Sequence, residues 1–241
     1  MTEKLLYVGL DHDLRYDNES LTQQLAEVDG NFGYKVNLDH ALMWGKDYIE
    51  EVVATEKPVF VDLKMNNGSR TMSNIVGWLG DMGVTHTNIW AHAESNLAKT
   101  MKEVTDVLNR PAVLGVTFYT RWNEEYAQTH HHMTLDELIS HWSHVAVDSG
   151  ADGIILPGNH LSAVSDLNTV KLNPAVRLPG QETKSKQVQV SNPYDAIMDG
   201  SDILVAGSPI YGAPEPVQAL KQFLAEIKRA SDDLATKSKQ S

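Results

Sequence analysis

An acidic and a basic side chain stand two residues apart at the end of an apolar run that starts at Val59. The run follows Pro58 and is rich in β-branched residues, which predicts a buried strand. Because side chains alternate between the two faces of a strand, Asp62 and Lys64 should project from the same face. Unpaired buried charge is costly, so the two groups should pair with each other. A lysine held in this way can deliver a proton to a developing carbanion.

A second predicted strand, Tyr34-Lys35-Val36-Asn37-Leu38, places Lys35 and Asn37 on one face. Lys35 lies among apolar neighbours, where a lone charge has to be neutralised. Together with Asp62 and Lys64, this lysine predicts a cluster of alternating charges that binds an anionic ligand.

The elements that must position these residues alternate between strand and helix. Strands are predicted at 5–10, 34–38, 59–67, 87–91, 112–118, 153–156, 170–173 and 202–206. Helices are predicted at 19–29, 41–55, 70–82 (capped by Ser69), 134–149, 160–167, 193–199 and 215–229. Eight strands in about 230 residues favour an α/β fold of the (β/α)8 TIM barrel type, a single domain over residues 1–230, rather than an open doubly wound sheet. The polar tail at 231–241 is expected to be frayed.

Composition narrows the class of protein. The net charge is −12 without a long basic run, so neither nucleic acid nor an acidic membrane surface is an expected partner. The chain has no cysteine, which excludes disulfides, a thiolate nucleophile and a cysteine metal site. The apolar stretch before Asp11 is too short for a signal sequence or a membrane span, so a cytoplasmic protein is expected.

In a barrel the active site lies at the carboxyl ends of the strands. The polar residues predicted to lie there are Asp11, Lys35, Asn37, Asp62, Lys64, Asn67, His92, Thr120, Arg121 and Ser208. An alternative for Arg121, and for His12 and Asp13, is that they are solvated residues of the rim. The run His130-His131-His132 suggests a metal site, but adjacent residues do not easily converge on one ion, and a solvated loop is the preferred interpretation.

These residues resemble the orotidine 5′-phosphate decarboxylase suprafamily, whose signature is Asp-x-Lys-x-x-Asp at the end of the third strand. Residues 62–71 read Asp-Leu-Lys-Met-Asn-Asn-Gly-Ser-Arg-Thr, close to the sequence of the decarboxylases. The other matching segments are Leu10-Asp11, Tyr34-Lys35-Val36-Asn37, His92-Ala93, residues 150–155 and residues 205–210. Lys35 favours the decarboxylase branch over the hexulose-phosphate synthase and ketogulonate-phosphate decarboxylase branch.

The resemblance implies a role for each matched residue. Lys64 would protonate the vinyl carbanion that CO2 leaves behind, and Asp62 would face the departing carboxylate. Lys35 would hold the network and the ribose, Asp11 would bind a ribose hydroxyl, and Gln187 in the loop 174–191 would bind the 5′-phosphate. The other substrate-binding candidates are Asn37, Thr71, His92, Thr120, Arg121, Gly207 and Ser208. The resemblance implies no metal and no cofactor, and a homodimer in which Asn67 lies near the partner's site.

Three positions depart from the family pattern. Asn67 replaces the last acid of the motif, Ser208 replaces the phosphate-binding arginine, and Arg121 replaces a serine that contacts the pyrimidine. The first change makes the motif cluster one unit more positive, which favours binding of an anion over expulsion of CO2. Losing a bidentate arginine weakens phosphate recognition, and the cations that could restore it are Lys184, Lys186 or Arg177.

Three functions are therefore compatible with the sequence. The first is a metal-free decarboxylase that converts orotidine 5′-phosphate to UMP in pyrimidine biosynthesis, with a small anionic nucleotide-like substrate. The second is a non-catalytic or repurposed nucleotide- or phosphosugar-binding paralogue that has lost turnover through Asn67 and Ser208. The third is a sugar-phosphate aldolase or decarboxylase that forms an enediolate and needs a divalent metal.

Overall fold

The structure is a computed structural model that describes residues 3–181 and 191–238. Eight parallel strands form a closed barrel in chain order, and β1 pairs with both β2 and β8. This confirms the (β/α)8 TIM barrel predicted from the sequence. The strands are β1 (Leu5–Gly9), β2 (Phe32–Asn37), β3 (Val59–Met65), β4 (His86–Trp90), β5 (Ala112–Val116), β6 (Gly153–Ile155), β7 (Val170–Asn173) and β8 (Ile203–Ala206).

Helices follow the strands and cover the outside of the barrel. They are α1 (Arg15–Leu25), α2 (Leu38–Val53), α3 (Ser69–Asp81), α4 (Ser95–Val104), α5 (Glu124–His131), α6 (Leu135–Asp148), α7 (Pro193–Met198), α8 (Ser208–Tyr211) and α9 (Pro216–Ser238). Two short 3-10 segments, Ala91–Ala93 and Gly158–Val164, follow β4 and β6. In the part of the chain that is described, no helix is both long and apolar enough to cross a bilayer.

The strands are buried on both faces, which is why they read as nearly continuous apolar runs. Side chains that fill the barrel interior include Tyr7, Phe60, Leu114 and Ile203. Two larger apolar clusters lie between the strands and the surrounding helices. The interior is therefore packed, and polar groups are concentrated where the strands end.

Several helices differ from the sequence-based expectation. Helix α4 was not predicted, and the histidine run is not a loop: His130 and His131 belong to α5, and His132 ends it in a left-handed conformation (φ 55°). Helix α3 begins at Ser69 itself, and the preceding cap position is Gly68. The Ser69 hydroxyl instead donates to the Glu103 carboxylate at 3.2 Å.

The predicted frayed tail at 231–241 is wrong for residues 231–238, which continue α9. Ala230 is fully buried and Leu234 packs against the same apolar cluster, so helical spacing brings both to one face. The Tyr194 hydroxyl also donates to the Asp233 carboxylate at 2.7 Å. The polar composition suggested disorder because only about one residue in each turn of this segment is apolar and packs against the barrel.

Candidate active site

A cavity of about 410 Å³ opens at the carboxyl ends of the strands. Phe60, Val116 and Ile155 form part of its floor, and polar side chains form its walls. The polar residues that line it are Asp11, Lys35, Asn37, Asp62, Lys64, Asn88, Tyr119, Thr120, Arg121, Arg177, Ser208 and Tyr211. Four cationic side chains and two carboxylates thus face one cavity in a chain of net charge −12.

The predicted pair at the end of β3 is formed. Lys64 Nζ lies 2.6 Å from each carboxylate oxygen of Asp62. The Asp62 side chain is 11% exposed, whereas that of Lys64 is 37% exposed and reaches toward the opening. Burial by itself raises the pKa of the Asp62 carboxyl, but the charges of Lys64 and Lys35 outweigh it, and the pKa lies below its usual value. Asp62 is therefore a carboxylate throughout the physiological range.

A second charged group forms beside this pair. Lys35 Nζ donates to Asp11 Oδ1 at 3.1 Å and to Asn37 Oδ1, and Asn37 Nδ2 donates to Asp11 Oδ1 at 2.7 Å. Burial alone lowers the pKa of Lys35, but the charges of Asp11 and Asp62 more than offset this, and the pKa lies above its usual value. Lys35 is thus a buried cation fixed between carboxylates.

Two glycines make room for the Asp11 carboxylate. A Cβ atom built on Gly9 would lie 2.6 Å from Asp11 Oδ2, and one built on Gly207 would lie 2.9 Å from the same oxygen. Both distances are below normal contact, so any larger residue would displace Asp11 from the cavity wall. The contribution of Gly207 to the site is therefore the space that it leaves for the Asp11 carboxylate.

Strand β3 is irregular where the charged pair lies. Val61 pairs with Thr87 and Met65 pairs with Ile89, so β3 has two more residues than β4 between these points. Lys64 has a left-handed backbone (φ 47°), which a lysine rarely adopts. Simple alternation along the strand is therefore not what places Asp62 and Lys64 together, although the predicted contact is present.

Arg177 lies in the cavity wall on the loop after β7 and is only 9% exposed. Its Nη2 lies 3.5 Å from the Ser208 hydroxyl, a weak contact, and its Nε is buried without a hydrogen-bond partner among residues 3–181 and 191–238. Burial lowers the pKa of the guanidinium, and the nearby Tyr211 offsets this only in part. The guanidinium is still charged at neutral pH, so its environment favours an anion brought against it.

The structure brings together nine of the predicted site residues. Those lining the cavity are Asp11, Lys35, Asn37, Asp62, Lys64, Thr120, Arg121, Gly207 and Ser208. Three others do not line it. Asn67 is exposed, Thr71 lies in the first turn of α3, and His92 is exposed with its ring stacked on Trp90 at 4.8 Å. Gln187, Lys184 and Lys186 lie outside the described residues.

Sequence reasoning missed Asn88, Tyr119 and Tyr211 as cavity residues. Asn88 is a fully buried polar residue on β4, between Thr87 and Ile89. An amide on a buried strand needs hydrogen-bond partners, and that requirement was a usable signal. Tyr211 lies in the four-residue helix α8 and gave no comparable signal.

No group of three or more histidine, aspartate or glutamate side chains within the described residues is arranged to hold a metal ion. The ion pairs of the site leave Asp11 and Asp62 bound to lysines. The arrangement can hold an anion, keep two carboxylates ionised and present an ammonium group to the cavity.

Comparison with known proteins gives a consistent result over the length of the chain. The sequence profile of the Orotidine 5′-phosphate decarboxylase / HUMPS family matches residues 4–223. An orotidine 5′-phosphate decarboxylase of Campylobacter concisus is 30% identical over 227 residues, covering 92% of this chain and 99% of that protein. One from Legionella pneumophila is 29% identical over 235 residues, covering 94% and 100%.

Solved structures share the fold. Orotidine 5′-phosphate decarboxylase from Lactobacillus acidophilus superposes with a TM-score of 0.78 at 21% identity, covering 93% of this chain and 99% of the other. An uncharacterised conserved protein from Geobacillus kaustophilus gives a TM-score of 0.77 at 18% identity, covering 92% and 99%.

Proposed function

Because the chain belongs to the orotidine 5′-phosphate decarboxylase / HUMPS family, we propose that it is a carbon–carbon lyase that decarboxylates orotidine 5′-phosphate to UMP. The observation that supports this most is the Lys64 ammonium, held 2.6 Å from both Asp62 oxygens at a cavity mouth. The proposed reaction serves pyrimidine biosynthesis and uses no metal ion.

In the proposed step the bond between ring carbon C6 and its carboxylate breaks, and CO2 departs. The electron pair of that bond stays on C6, and Lys64 Nζ donates a proton to it, which gives UMP. Asp62, buried and ionised, faces the departing carboxylate and opposes it before the bond breaks. Lys35 and Asp11, fixed to each other, would hold the ribose hydroxyls.

We place the 5′-phosphate at Arg177 and Ser208. The Arg177 guanidinium is buried, lines the cavity and has an Nε without a partner among residues 3–181 and 191–238. It lies beside the position where the family pattern has an arginine and this chain has Ser208. Charge-assisted bonds from a guanidinium to a phosphate would therefore be recovered from a neighbouring loop.

We also propose that the protein is a homodimer in which Asn67 approaches the partner's site. Asn67 is exposed and absent from the wall of its own cavity. Large apolar side chains are exposed on the loops and helices that follow β1 and β2. These elements lie beside β3, the strand that precedes Asn67, and a second copy of the chain would cover the apolar side chains. They are Leu14, Tyr16, Leu38, Leu42 and Met43.

The decisive experiment is incubation of the purified protein with orotidine 5′-phosphate while its ultraviolet absorbance is followed. We expect turnover that a chelator does not abolish, and that Lys64→Ala lowers roughly 10²- to 10⁴-fold, the usual contribution of a general acid. Lys228→Ala removes another lysine–carboxylate pair, with Asp232 on the surface of α9, and should leave the rate unchanged.

Two outcomes would replace the proposal. Tight UMP binding without turnover at high enzyme concentration would favour the non-catalytic paralogue, to which the changes at Asn67 and Ser208 point. Activity that is lost on chelation would favour metal-dependent chemistry on a sugar phosphate.

A further inference from the structure

One residue of β4 lies opposite three residues of β3. Because Val61 pairs with Thr87 and Met65 with Ile89, the segment Asp62-Leu63-Lys64 has only Asn88 across from it. A strand with surplus residues cannot give each backbone group a ladder partner. Both charged residues of the proposed reaction belong to this surplus segment.

The Asn88 side chain supplies one of these backbone partners and also binds the Asp62 carboxylate. Its Oδ1 accepts from the backbone N–H of Lys64 at 2.6 Å, and its Nδ2 donates to Asp62 Oδ1 at 2.7 Å. The two bonds fix the orientation of the amide, because the flipped form would place its oxygen against a carboxylate and its NH2 against an N–H. Asn88 is fully buried, so water does not compete for either bond.

The backbone at Lys64 needs such a restraint. Its φ of 47° is left-handed, a conformation that costs an ordinary residue about 1–2 kcal/mol. Residues remain in such conformations only where their surroundings hold them, and a bond to the Lys64 N–H acts at the strained peptide. The same amide restrains the carboxylate that binds Lys64 Nζ at 2.6 Å.

We propose that Asn88 is a positioning residue: its single amide holds the Asp62 carboxylate and the Lys64 backbone together, and thereby aims the Lys64 ammonium into the cavity. Asn88 acts through these two residues rather than on the substrate. The kinetic part of the test rests on the proposed decarboxylation, and the spectroscopic part does not.

The test compares Asn88→Ala and Asn88→Asp with a matched control, Thr87→Val. Thr87 is the neighbouring residue of β4, is also fully buried, and donates to the Val61 carbonyl of β3 at 3.0 Å, but its side chain has no hydrogen bond to Asp62 or Lys64. All three variants thus lose a buried bond between the same two strands. We expect Asn88→Ala to lower kcat roughly 100-fold with little change in KM, as for a misplaced catalytic group, and Thr87→Val to behave as wild type.

Aspartate is close in size to asparagine. If Asn88→Ala fails to fold because of the lost volume, Asn88→Asp should still fold. It keeps an acceptor for the Lys64 N–H but places a second carboxylate against Asp62. Like charges raise the pKa of a carboxyl, so the acid limb of the pH–rate profile should move to higher pH. In Asn88→Ala, which adds no charge, a role limited to strand packing would move the unfolding midpoint and leave the acid limb in place.

Titration of the Asp62 carboxyl by carbon-13 NMR needs no turnover and separates the inference from the proposed function. Lys64 on β3 and Lys35 on β2 face Asp62 in every variant, so a change in Asn88→Ala reports the loss of the amide, whereas Asn88→Asp also adds the charge of a second carboxylate. We expect a higher Asp62 pKa in Asn88→Ala and Asn88→Asp than in wild type, and no change in Thr87→Val. If the wild-type protein shows no turnover, the proposed decarboxylation is wrong. If the Asp62 pKa and kcat of Asn88→Ala match those of Thr87→Val, the positioning role is wrong.

Discussion

At the scale of single residues, Arg177 lies in a position that folding alone does not explain. It is a buried guanidinium whose Nε has no partner within residues 3–181 and 191–238, and its neighbour Ser208 offers only a weak contact. A buried charge with incomplete hydrogen bonding destabilises the empty protein. Binding of an anion would relieve that cost, so part of the ligand affinity should depend on this residue.

Replacement of Arg177 should therefore weaken phosphate binding selectively. In Arg177→Met the affinity for UMP should fall by about 1.5–3 kcal/mol, the usual range for a bond to a charged group, while uridine affinity stays the same. Arg177→Lys should recover only part of the loss because an ammonium lacks the planar fork. Calorimetric titration with both ligands measures this, and an unchanged ratio of UMP to uridine affinity would show that the phosphate is bound elsewhere.

Residue spacing correctly predicted the contact between Asp62 and Lys64. The reason given, regular alternation along the strand, does not apply, because β3 is irregular there. The left-handed φ at Lys64 and the surplus residues depend on pairing with β4, which a local pattern does not contain. Asn88 was not predicted as a site residue because its role also depends on how β3 and β4 pair. Its type was visible in the sequence, but its position opposite three residues was not.

At the scale of elements, strands were easier to predict than helices. Strands buried on both faces leave an unmistakable apolar run, as Val59–Val61 and Ala112–Val116 show. Helix α4 has a low apolar content and was missed, although Leu97, Met101 and Val104 bury its inner face. Helix α5 was missed because its surface is polar and aromatic, with Trp122 stacked on Tyr126 at 4.5 Å near its start.

The end of α9 offers a test of whether residues 231–238 are structural. Leu234 packs on the apolar cluster beneath α9, so Leu234→Ala should lower the free energy of unfolding by about 1 kcal/mol, as expected for a partly buried leucine. Thr236→Ala, at an exposed position two residues on, is the control and should change it by less than about 0.5 kcal/mol. Urea unfolding measures both, and equal stability of the two variants would mean that the end of α9 contributes nothing.

At the scale of the whole molecule, the charge distribution is uneven. The chain is strongly acidic, yet four cationic side chains face a cavity that holds only two carboxylates. A cleft with low-dielectric walls concentrates such a local field, so a small anion can be attracted although the molecule as a whole repels it. Net charge argued against nucleic acid as a partner, but it could not locate this cavity.

Global stability should depend on His86, which lies at the opposite end of the barrel. Its Nδ1 is hydrogen-bonded to the Tyr7 hydroxyl at 2.7 Å, and burial lowers its pKa from 6.5 to about 4. The unfolded chain then binds more protons than the folded one between these values, so stability present above pH 6.5 is lost as the pH falls toward 4. This contribution amounts to about 3 kcal/mol at most.

We expect His86→Gln to flatten the pH dependence of stability between pH 7 and 4.5. The control is His141→Gln, an exposed histidine of α6, which should keep the wild-type slope. Free energies of unfolding from urea titrations at both pH values decide the matter. Parallel slopes for wild type and His86→Gln would contradict the assignment.

The proposed dimer predicts a gain of function. If Asn67 lies near the partner's site, Asn67→Asp restores a negative charge there and should raise the decarboxylation rate. Asn66→Asp adds the same charge at the preceding exposed position and is the control. Rates for each subunit, measured over a range of protein concentrations, should show the gain only where sedimentation detects dimers. An unchanged or lower rate at every concentration would argue against it.

The mismatch between Val61–Met65 and Thr87–Ile89 also matters to protein engineering. Transplanting the acid–x–lysine tripeptide into another barrel would carry over the functional groups but not the distorted peptide that aims them. The smallest portable unit is two adjacent strands, one overlong and one bearing an asparagine. Grafts that omit the second strand should fold with the lysine turned away from the opening.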